Sequence, residues 1–564
     1  MNDPLKTTLD LLGHINNEAA VEVLTGILDG PESPLQIPAL KAMLVRRDPV
    51  APVELLRRWH TMDESWRQVI ADHGIRLERA IRDAILGTDE QLCMNAFDAA
   101  ITVADYDLIP VLITLAEDTG NPRSDLGATA ILSLTEKLHD EIAGPRDYSN
   151  RRNPQIIRVR VCGSLEKSVP RFKRHHRLEI LEAFLLVTAR DNSTLKQILQ
   201  NPHDPLFLKL TEMLQESMRP GIMRLLASFL DDTHAPSSAL KTLAFRRDVP
   251  FLRQYFKMLH GNFTQNVRRN LKRIEVFNWV RDDLSVLYAM DVEEQAAAVM
   301  AINLSGIPAD DKFKVVSLML DRGNVGGRRE AARALARFHN AQANELAMKA
   351  LRDADPEVEA AIVAQLRSRH LPDAMSILID KLDSEHEVVR DAAREGLAEF
   401  NFARYLSAFD MLDDEVRHNT GRLVKKVDPE TVPGLAKELA SGSQPRRTRA
   451  LEIAVVIDAV EELEEEIIDM IKSDNHVTRC EAARTLARCN TEATRLALRE
   501  ALLDSSGPVQ EAAENSLQAL AELTSLAADE FPIDLKMLAA SCSEEDVEQL
   551  PAGGEPRIRE EMAP

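Results

Sequence analysis

The sequence is poor in aromatic residues, cysteine and glycine. Phe, Trp and Tyr make up 4% of the 564 residues although 45% are hydrophobic, and there are 22 Gly and 5 Cys. A core with so few rings is built from many small contacts, and the prominence of Ala, Leu, Glu and Arg favours helices. The length exceeds what one hydrophobic core organises, so the chain forms several domains or a repeat array. The composition favours a helical array.

The few cysteines exclude a disulfide scaffold and a zinc site made of close Cys pairs. They are scattered, at Cys93, Cys162, Cys480, Cys489 and Cys542. Such an odd set fits a reducing compartment. No run approaches 18 apolar residues, and the segment Met1–His14 carries charges in place of an apolar signal core. We therefore predict a cytoplasmic protein without a membrane span.

One helix pattern returns seven times between Leu320 and Leu520. Its late apolar position falls every 27 to 32 residues, at Leu335, Leu366, Leu397, Val424, Ala454, Leu486 and Leu517. A period near 30 with two helices per unit is typical of a solenoid, in which each hairpin buries its apolar stripe only against its neighbours. The sequence predicts an all-α fold, an α-solenoid of stacked antiparallel helical hairpins.

An arginine precedes the late apolar position by seven residues in five of these copies. The five are Arg328, Arg390, Arg417, Arg447 and Arg479, whereas Glu359 and Gln510 take their place in two other copies. Acidic residues lie in the preceding turn of four copies, at Asp321, Asp383, Asp413 and Asp474. A turn carboxylate can cap the next helix and pair with the arginine, which predicts a structural role. The alternative is an arginine ladder for phosphates.

This pattern resembles the HEAT repeat family, specifically the short bacterial form also found in phycobilisome lyase subunits, over Lys312–Leu520. The resemblance implies a right-handed superhelix whose second helices line the concave side, the surface that usually takes the partner. Four regions follow: residues 1–143 are HEAT-like repeats, 144–310 irregular helical repeats with a basic surface, 311–520 regular repeats, and 521–564 a capping helix at Phe531–Leu550 with a disordered tail. A separate helical domain is the alternative for the middle.

The middle region is basic although the whole chain has a net charge of −22. The segments 145–177 and 241–281 each contain ten Lys or Arg and two acidic residues. The candidate binding residues are Arg151, Arg152, Arg158, Arg160, Arg171, Lys173, Arg174, Arg268, Arg269, Lys272 and Arg273. We expect Arg151 and Arg152 in a loop, residues 171–177 to open a helix, and the last four to share one helical face. This charge is offset either by the chain's own carboxylates or by a bound anion.

Motifs for catalysis, metals or cofactors are not found. A di-iron site built on repeats needs several His-Glu pairs, and the sequence has one such pair, His386-Glu387. The pair His175-His176 lacks further ligands at metal-binding spacing. Gly323–Gly327 lacks the lysine of a phosphate loop, and we expect it in an inter-helix turn. Phe263, Phe277 and Trp279, near the second basic segment, have spacings typical of core residues.

The leading hypothesis is a non-enzymatic scaffold or adaptor that binds a protein partner along the concave face. The first alternative is binding of nucleic acid or another polyanion through the basic middle. The second, by family analogy alone, is a lyase or chaperone subunit for a tetrapyrrole-bearing protein.

Overall fold

The computed structural model describes residues 4–73, 77–145, 153–473 and 475–525. Within these ranges the chain forms α-helices, short 3-10 helices and turns, and no β-strand. The predicted all-α class is therefore confirmed. The chain divides into two compact units, residues 1–338 and 339–564. The four regions drawn from the sequence stay a prediction.

The first unit contains helices α1 to α22. They are α1 (Pro4–His14), α2 (Ala19–Leu28), α3 (Gln36–Val45), α4 (Val50–Arg58), α5 (Glu64–His73), α6 (Glu78–Leu86), α7 (Glu90–Thr102), α8 (Ile109–Glu117), α9 (Ser124–Ala143), α10 (Pro154–Ser168), α11 (Phe172–His175), α12 (Leu178–Val187), α13 (Ser193–Gln200), α14 (Phe207–Glu216), α15 (Pro220–Ser228), α16 (Ser237–Phe245), α17 (Val249–Leu259), α18 (Gln265–Lys272), α19 (Asn278–Asp282), α20 (Val292–Leu304), α21 (Ala309–Arg322) and α22 (Val325–Leu335).

The second unit contains helices α23 to α34. They are α23 (Ala341–Ala350), α24 (Pro356–Val363), α25 (Ala374–Lys381), α26 (Glu387–Gly396), α27 (Phe402–Ala408), α28 (Asp414–Val427), α29 (Thr431–Leu439), α30 (Gln444–Val456), α31 (Glu464–Ile471), α32 (His476–Leu486), α33 (Glu492–Ala501) and α34 (Gly507–Ser525). Short 3-10 helices lie at Trp59–Thr61, Tyr106–Leu108, Val169–Arg171, Phe229–Asp231, Leu284–Ala289, Phe409–Met411 and Glu461–Leu463.

The seven predicted copies are the second helices of seven hairpins. The first hairpin is α21 with α22, and six more follow in order from α23 with α24 to α33 with α34. All seven late apolar positions are at most 7% exposed. In the second unit α28, α30, α32 and α34 pack each on the next, because each second helix hides its apolar stripe against its neighbour. The predicted hairpin stacking is confirmed.

Hairpins also continue through the first unit. Helix α2 ends at an acidic turn, with Asp29 as its C-cap. Helices α8 and α9 pack against each other as a hairpin. Helices α12, α15, α17 and α20 then form a row in which each contacts the next. Residues 144–310 thus contribute helices to the same compact unit as the N-terminal repeats.

One local prediction was wrong, and another was correct only in part. Residues 171–177 do not open a helix: they include the short α11, and His176, with φ of 53°, turns the chain left-handed before α12 begins. The segment Gly323–Gly327 is not wholly an inter-helix turn, because Asn324 caps α22 and both Gly326 and Gly327 lie in its first turn. Directly after the segment that holds Arg151 and Arg152, Asn153 caps α10, and Pro154 is the first residue of that helix.

The predicted capping segment Phe531–Leu550 lies outside the described residues. Among the helices that the structure describes, none combines the length and the apolar character needed to cross a bilayer.

Candidate functional site

The repeat arginines bind the main chain of the turn before their own helix. The guanidinium N to carbonyl O distances are 3.1 Å from Arg328 to Gly323, 2.8 Å from Arg390 to Ser384, 2.8 Å from Arg417 to Phe409, 2.8 Å from Arg447 to Ser441 and 2.8 Å from Arg479 to Ser473. Gln510, which replaces the arginine in the last copy, donates to the Asp504 carbonyl at 2.7 Å. Helix ends leave carbonyls without partners inside the helix, and these side chains supply the missing donors. The geometry supports their structural role.

The acidic turn residues have different partners. Asp413 caps α28 by accepting from the Val416 N–H at 2.9 Å, as expected. Asp383 accepts from Lys426 at 2.8 Å, in the hairpin after its own. Asp474 lies outside the described residues. Arg479 pairs with the Asp504 carboxylate, in the turn between α33 and α34, through two parallel contacts of 2.7 and 2.9 Å.

We predict that Asp504→Asn lowers the free energy of unfolding by about 1–2 kcal/mol near neutral pH. Both side chains of the Arg479–Asp504 pair are 13% exposed, and the guanidinium lowers the pKa of Asp504 below its ordinary value. A carboxylate with a depressed pKa stabilises the fold above the pKa of unfolded aspartate and loses that contribution as the pH falls through its folded pKa. The difference in free energy of unfolding between parent and variant, measured by urea denaturation, should therefore become smaller at acid pH.

The matched control is Asp414→Asn, because Asp414 pairs with Arg417 at 3.4 Å but its side chain is fully exposed. That variant should unfold like the parent at every pH, since exposed ion pairs contribute little. An Asp504→Asn deficit that is the same at all pH values would contradict the ionic origin of the effect.

The first basic segment is partly neutralised by the chain itself. Arg160 pairs with Asp107 at 3.1 Å and Arg171 with Glu117 at 3.0 Å. Arg158 donates to the Val187 carbonyl at 2.7 Å. The exposed cations Lys173 and Arg174 make no hydrogen bond or ion pair within the described residues. Arg151 and Arg152 lie outside the described residues.

In the second basic segment the arginine side chains at α18 donate to main-chain carbonyl groups, which are neutral acceptors. Arg268 donates to the Phe263 carbonyl at 3.0 Å, Arg269 to the Thr233 carbonyl at 2.5 Å, and Arg273 to the Ala235 carbonyl at 3.1 Å. Lys272 is exposed on the same helix, α18. In the part of the chain that the structure describes, none of these four cations pairs with a carboxylate. Three guanidinium groups are thus fixed in position while their charge stays uncompensated; these four residues are called the α18 cations below.

The aromatic residues near α18 belong mainly to the core. Phe277 and Trp279 are 2% and 1% exposed, and Trp279 meets the Phe256 ring edge-on at 5.8 Å. Phe263 is half-buried. The expected core role therefore holds for two of the three rings.

A groove of about 610 Å³ lies beside α16. Its lining residues are Ser237, Leu240, Lys241, Ala244, Phe245, Arg273, Ile274, Glu275, Val276, Asn278 and Arg281. The groove combines an apolar wall with three cations and one carboxylate. Sequence reasoning placed only Arg273 among its candidates, because the other two cations, Lys241 and Arg281, are 40 residues apart and meet only through the packing of α16 and α19.

An internal duplication in the sequence marks the region of this groove. Residues 38–48, PALKAMLVRRD, recur as residues 238–248, SALKTLAFRRD. Arg246, counted among the surface cations of the basic segment, has a side chain that is 0% exposed and pairs with Asp248 at 2.9 Å. It also donates to the Leu214 and Ser217 carbonyls at 3.1 and 2.8 Å. Arg246 is therefore part of the interior and not of a binding surface.

Its counterpart Arg46 is equally buried. Arg46 pairs with Asp48 at 2.5 Å and donates to the Asn17 carbonyl at 2.8 Å. Both arginines thus reach back to the main chain that follows a preceding helix, α1 or α14. The duplicated sequence marks two copies of one structural unit.

The cysteines and the histidine pair have structural surroundings. Cys93, Cys162, Cys480 and Cys489 are free thiols, and burial raises the pKa of each. Burial also lowers the pKa of His175, whose Nδ1 accepts from the Arg177 N–H at 3.0 Å. Among the described residues no three His, Cys, Asp or Glu side chains are grouped so that they could hold a metal ion.

The family described as HEAT repeats matches residues 314–398. This match falls within the stretch where the sequence resembles that family, and it confirms the resemblance there. No curated protein matches the chain.

Solved structures with similar helical arrangements have low sequence identity. A chain from a homology model of the full-length AP-3 complex has a TM-score of 0.37 and 14% identity, with 95% of this chain and 97% of that chain covered. For Kap121p the values are 0.27 and 13%, covering 93% and 57%. A structure of the interaction between cadherin and beta-catenin gives 0.28 and 12%, covering 93% and 99%. With TM-scores below 0.5, these likenesses carry no conclusion about function.

Proposed function

We propose that this protein, whose chain carries HEAT repeats, is a non-enzymatic scaffold or adaptor that binds a protein partner along the concave face of its second helices. Each hairpin uses its apolar stripe for stacking, so the remaining polar faces recur at a near-constant spacing along the array. Such a row of faces suits an extended partner surface better than a small substrate.

The α18 cations support one part of this proposal, the acidic character of the partner; α18 contacts α20 but is not a member of the row formed by α12, α15, α17 and α20. They stand in a chain whose net charge is −22, yet their guanidinium groups are held by main-chain carbonyls and not by carboxylates. A fixed cluster of uncompensated positive charge favours a partner with a complementary acidic surface, and it orients that partner during encounter. We therefore propose an acidic protein surface as the partner of this region.

Nucleic acid is the competing occupant of the same cations. The overall negative charge of the chain opposes the approach of a long polyanion, while a compact acidic protein patch is less affected. The two occupants differ in salt dependence, because each phosphate contact releases a counterion and binding to nucleic acid falls steeply as salt rises.

The test is capture of partners from native extract with and without nuclease, followed by affinity measurement with the purified partner. The variant Arg268→Glu/Lys272→Glu removes the two α18 cations that have the fewest contacts, and we expect its Kd to rise about tenfold or more. The matched control is Arg404→Glu/Lys437→Glu, which reverses two exposed cations on α27 and α29, both first helices.

The proposal requires one stoichiometric protein that survives nuclease, is lost with the α18 variant and is kept by the control. Recovery of nuclease-sensitive DNA or RNA alone would replace it with the polyanion alternative. If the α18 variant and the control variant bound the partner equally well, the α18 cations would not be part of the interface.

A further inference from the structure

We propose that the groove beside α16 binds an acidic peptide segment that carries one large apolar side chain. This inference rests on the proposed function, since the segment belongs to the protein partner. The groove is lined by residues of α16 and by the stretch from Arg273 to Arg281.

The apolar wall of the groove supplies the anchor position. Leu240, Ala244, Phe245, Ile274 and Val276 line it, and the Phe245 side chain is left 53% exposed to solvent. An exposed phenyl ring next to buried aliphatic side chains gains free energy when another apolar group covers it. In the duplicated segment Val45 takes the place of Phe245 and is half-buried, so the exposed ring is a feature of this copy.

The charges around the wall select an acidic segment. Lys241, Arg273 and Arg281 line the groove against the single carboxylate of Glu275, which leaves a formal surplus of two positive charges. Within the described residues, the side chains of Lys241 and Arg281 form no hydrogen bond or ion pair. Arg273 is held in place by the Ser237 hydroxyl at 3.1 Å. One fixed guanidinium and two uncommitted cations can therefore pair with carboxylates on either side of an apolar anchor.

The dimensions and chemistry favour a peptide over nucleic acid. A cavity of about 610 Å³ lies in the size range of small-ligand sites, which accommodates one or two side chains and not a folded surface. Nucleic acid would place phosphates against the apolar wall and leave both poorly solvated. An acidic peptide can direct its apolar side chain to the wall and its carboxylates to the cations.

The experiment uses the full chain and a fluorescein-labelled peptide of sequence EEDSFEDEE, measured by fluorescence anisotropy. We expect saturable binding that weakens about tenfold or more in Lys241→Glu/Arg281→Glu, because both reversed charges face the ligand. The control variant Lys41→Glu/Arg47→Glu reverses two exposed cations in the duplicated segment and should bind like the parent. Phe245→Ser should also weaken binding.

The apolar anchor is tested with the peptide EEDSSEDEE, in which Phe is replaced by Ser. We expect the parent to bind it more weakly than the first peptide. No saturable binding of EEDSFEDEE, equal affinity for both peptides, or equal loss in the control variant would overturn the inference. Displacement of the peptide by poly(dT) with retention of the DNA at high affinity would assign the groove to nucleic acid instead.

The captured partner separates this inference from the proposed function. Suppose that the captured partner binds Lys241→Glu/Arg281→Glu with the same affinity as the parent and fails to bind the α18 variant. That result would support the scaffold function and contradict the proposed peptide site in the groove. Circular dichroism should show the same helical content for all variants, because the exchanged side chains are exposed.

Discussion

Arg246→Ala should lower the free energy of unfolding by about 3–5 kcal/mol, the cost expected when the buried partner of an ion pair is removed together with its hydrogen bonds. The Arg246 side chain is 0% exposed. Its loss takes the guanidinium donors away from the Leu214 and Ser217 carbonyls and from the Asp248 carboxylate, which keeps only the Phe251 N–H. The guanidinium also lies over the Phe251 ring, 4.4 Å from its centroid, so a cavity forms beside that ring. Urea denaturation followed by far-UV circular dichroism measures the change.

The neighbouring Arg247→Ala is the control for this substitution. Arg247 pairs with Asp282 at 3.0 Å, but its side chain is 72% exposed, so its loss should cost less than about 1 kcal/mol. The double variant Arg246→Ala/Asp248→Ala should not recover the loss, because the Asp248 side chain is 28% exposed and also caps α17 by accepting from the Phe251 N–H at 3.1 Å. Similar midpoints for the two single variants would show that Arg246 does not hold the helix ends together.

Gly326→Ala should destabilise the protein by about 2–3 kcal/mol, although alanine normally favours a helix over glycine. Gly326 lies in the first turn of α22, where that helix packs on α20. A Cβ atom there would lie 2.3 Å from the Val292 carbonyl oxygen. Because this obstacle is main chain, it cannot rotate away, and the two helices must separate. The same denaturation experiment measures the effect.

Gly163→Ala provides a control of opposite sign. Gly163 lies inside α10, and no atom would lie within 4 Å of an added Cβ. This variant should therefore gain about 0.5–1 kcal/mol from helix propensity. If Gly326→Ala also proved stabilising, the close approach of α20 and α22 would not be a constraint on the fold.

The main elements of the fold were readable from the repeat because its period is local. The late apolar positions from Leu335 to Leu517 recur at a near-constant spacing, and each is buried as the pattern requires. The apolar run Leu178–Val187 forms the whole of α12. The misassigned segments, residues 171–177 and Gly323–Gly327, are places where a turn depends on one residue's conformation or on contact with another helix.

The candidate site was less accessible to sequence reasoning. Counting charges located the basic middle, but the count gave Arg246 and Lys241 the same weight although one is buried and the other exposed. Likewise, nothing in the spacing of Arg171 and Arg273 distinguishes a cation paired with Glu117 from one held by the Ala235 carbonyl.

The sequence alone determined the helices, the period of the repeat and the apolar side that each hairpin hides, because helical periodicity links residues three, four and about thirty positions apart. Only the tertiary structure decided which cations keep their charge uncompensated and which apolar residues face the groove. Those properties depend on atoms brought together from distant hairpins, and no local pattern specifies the partner that a side chain will meet there.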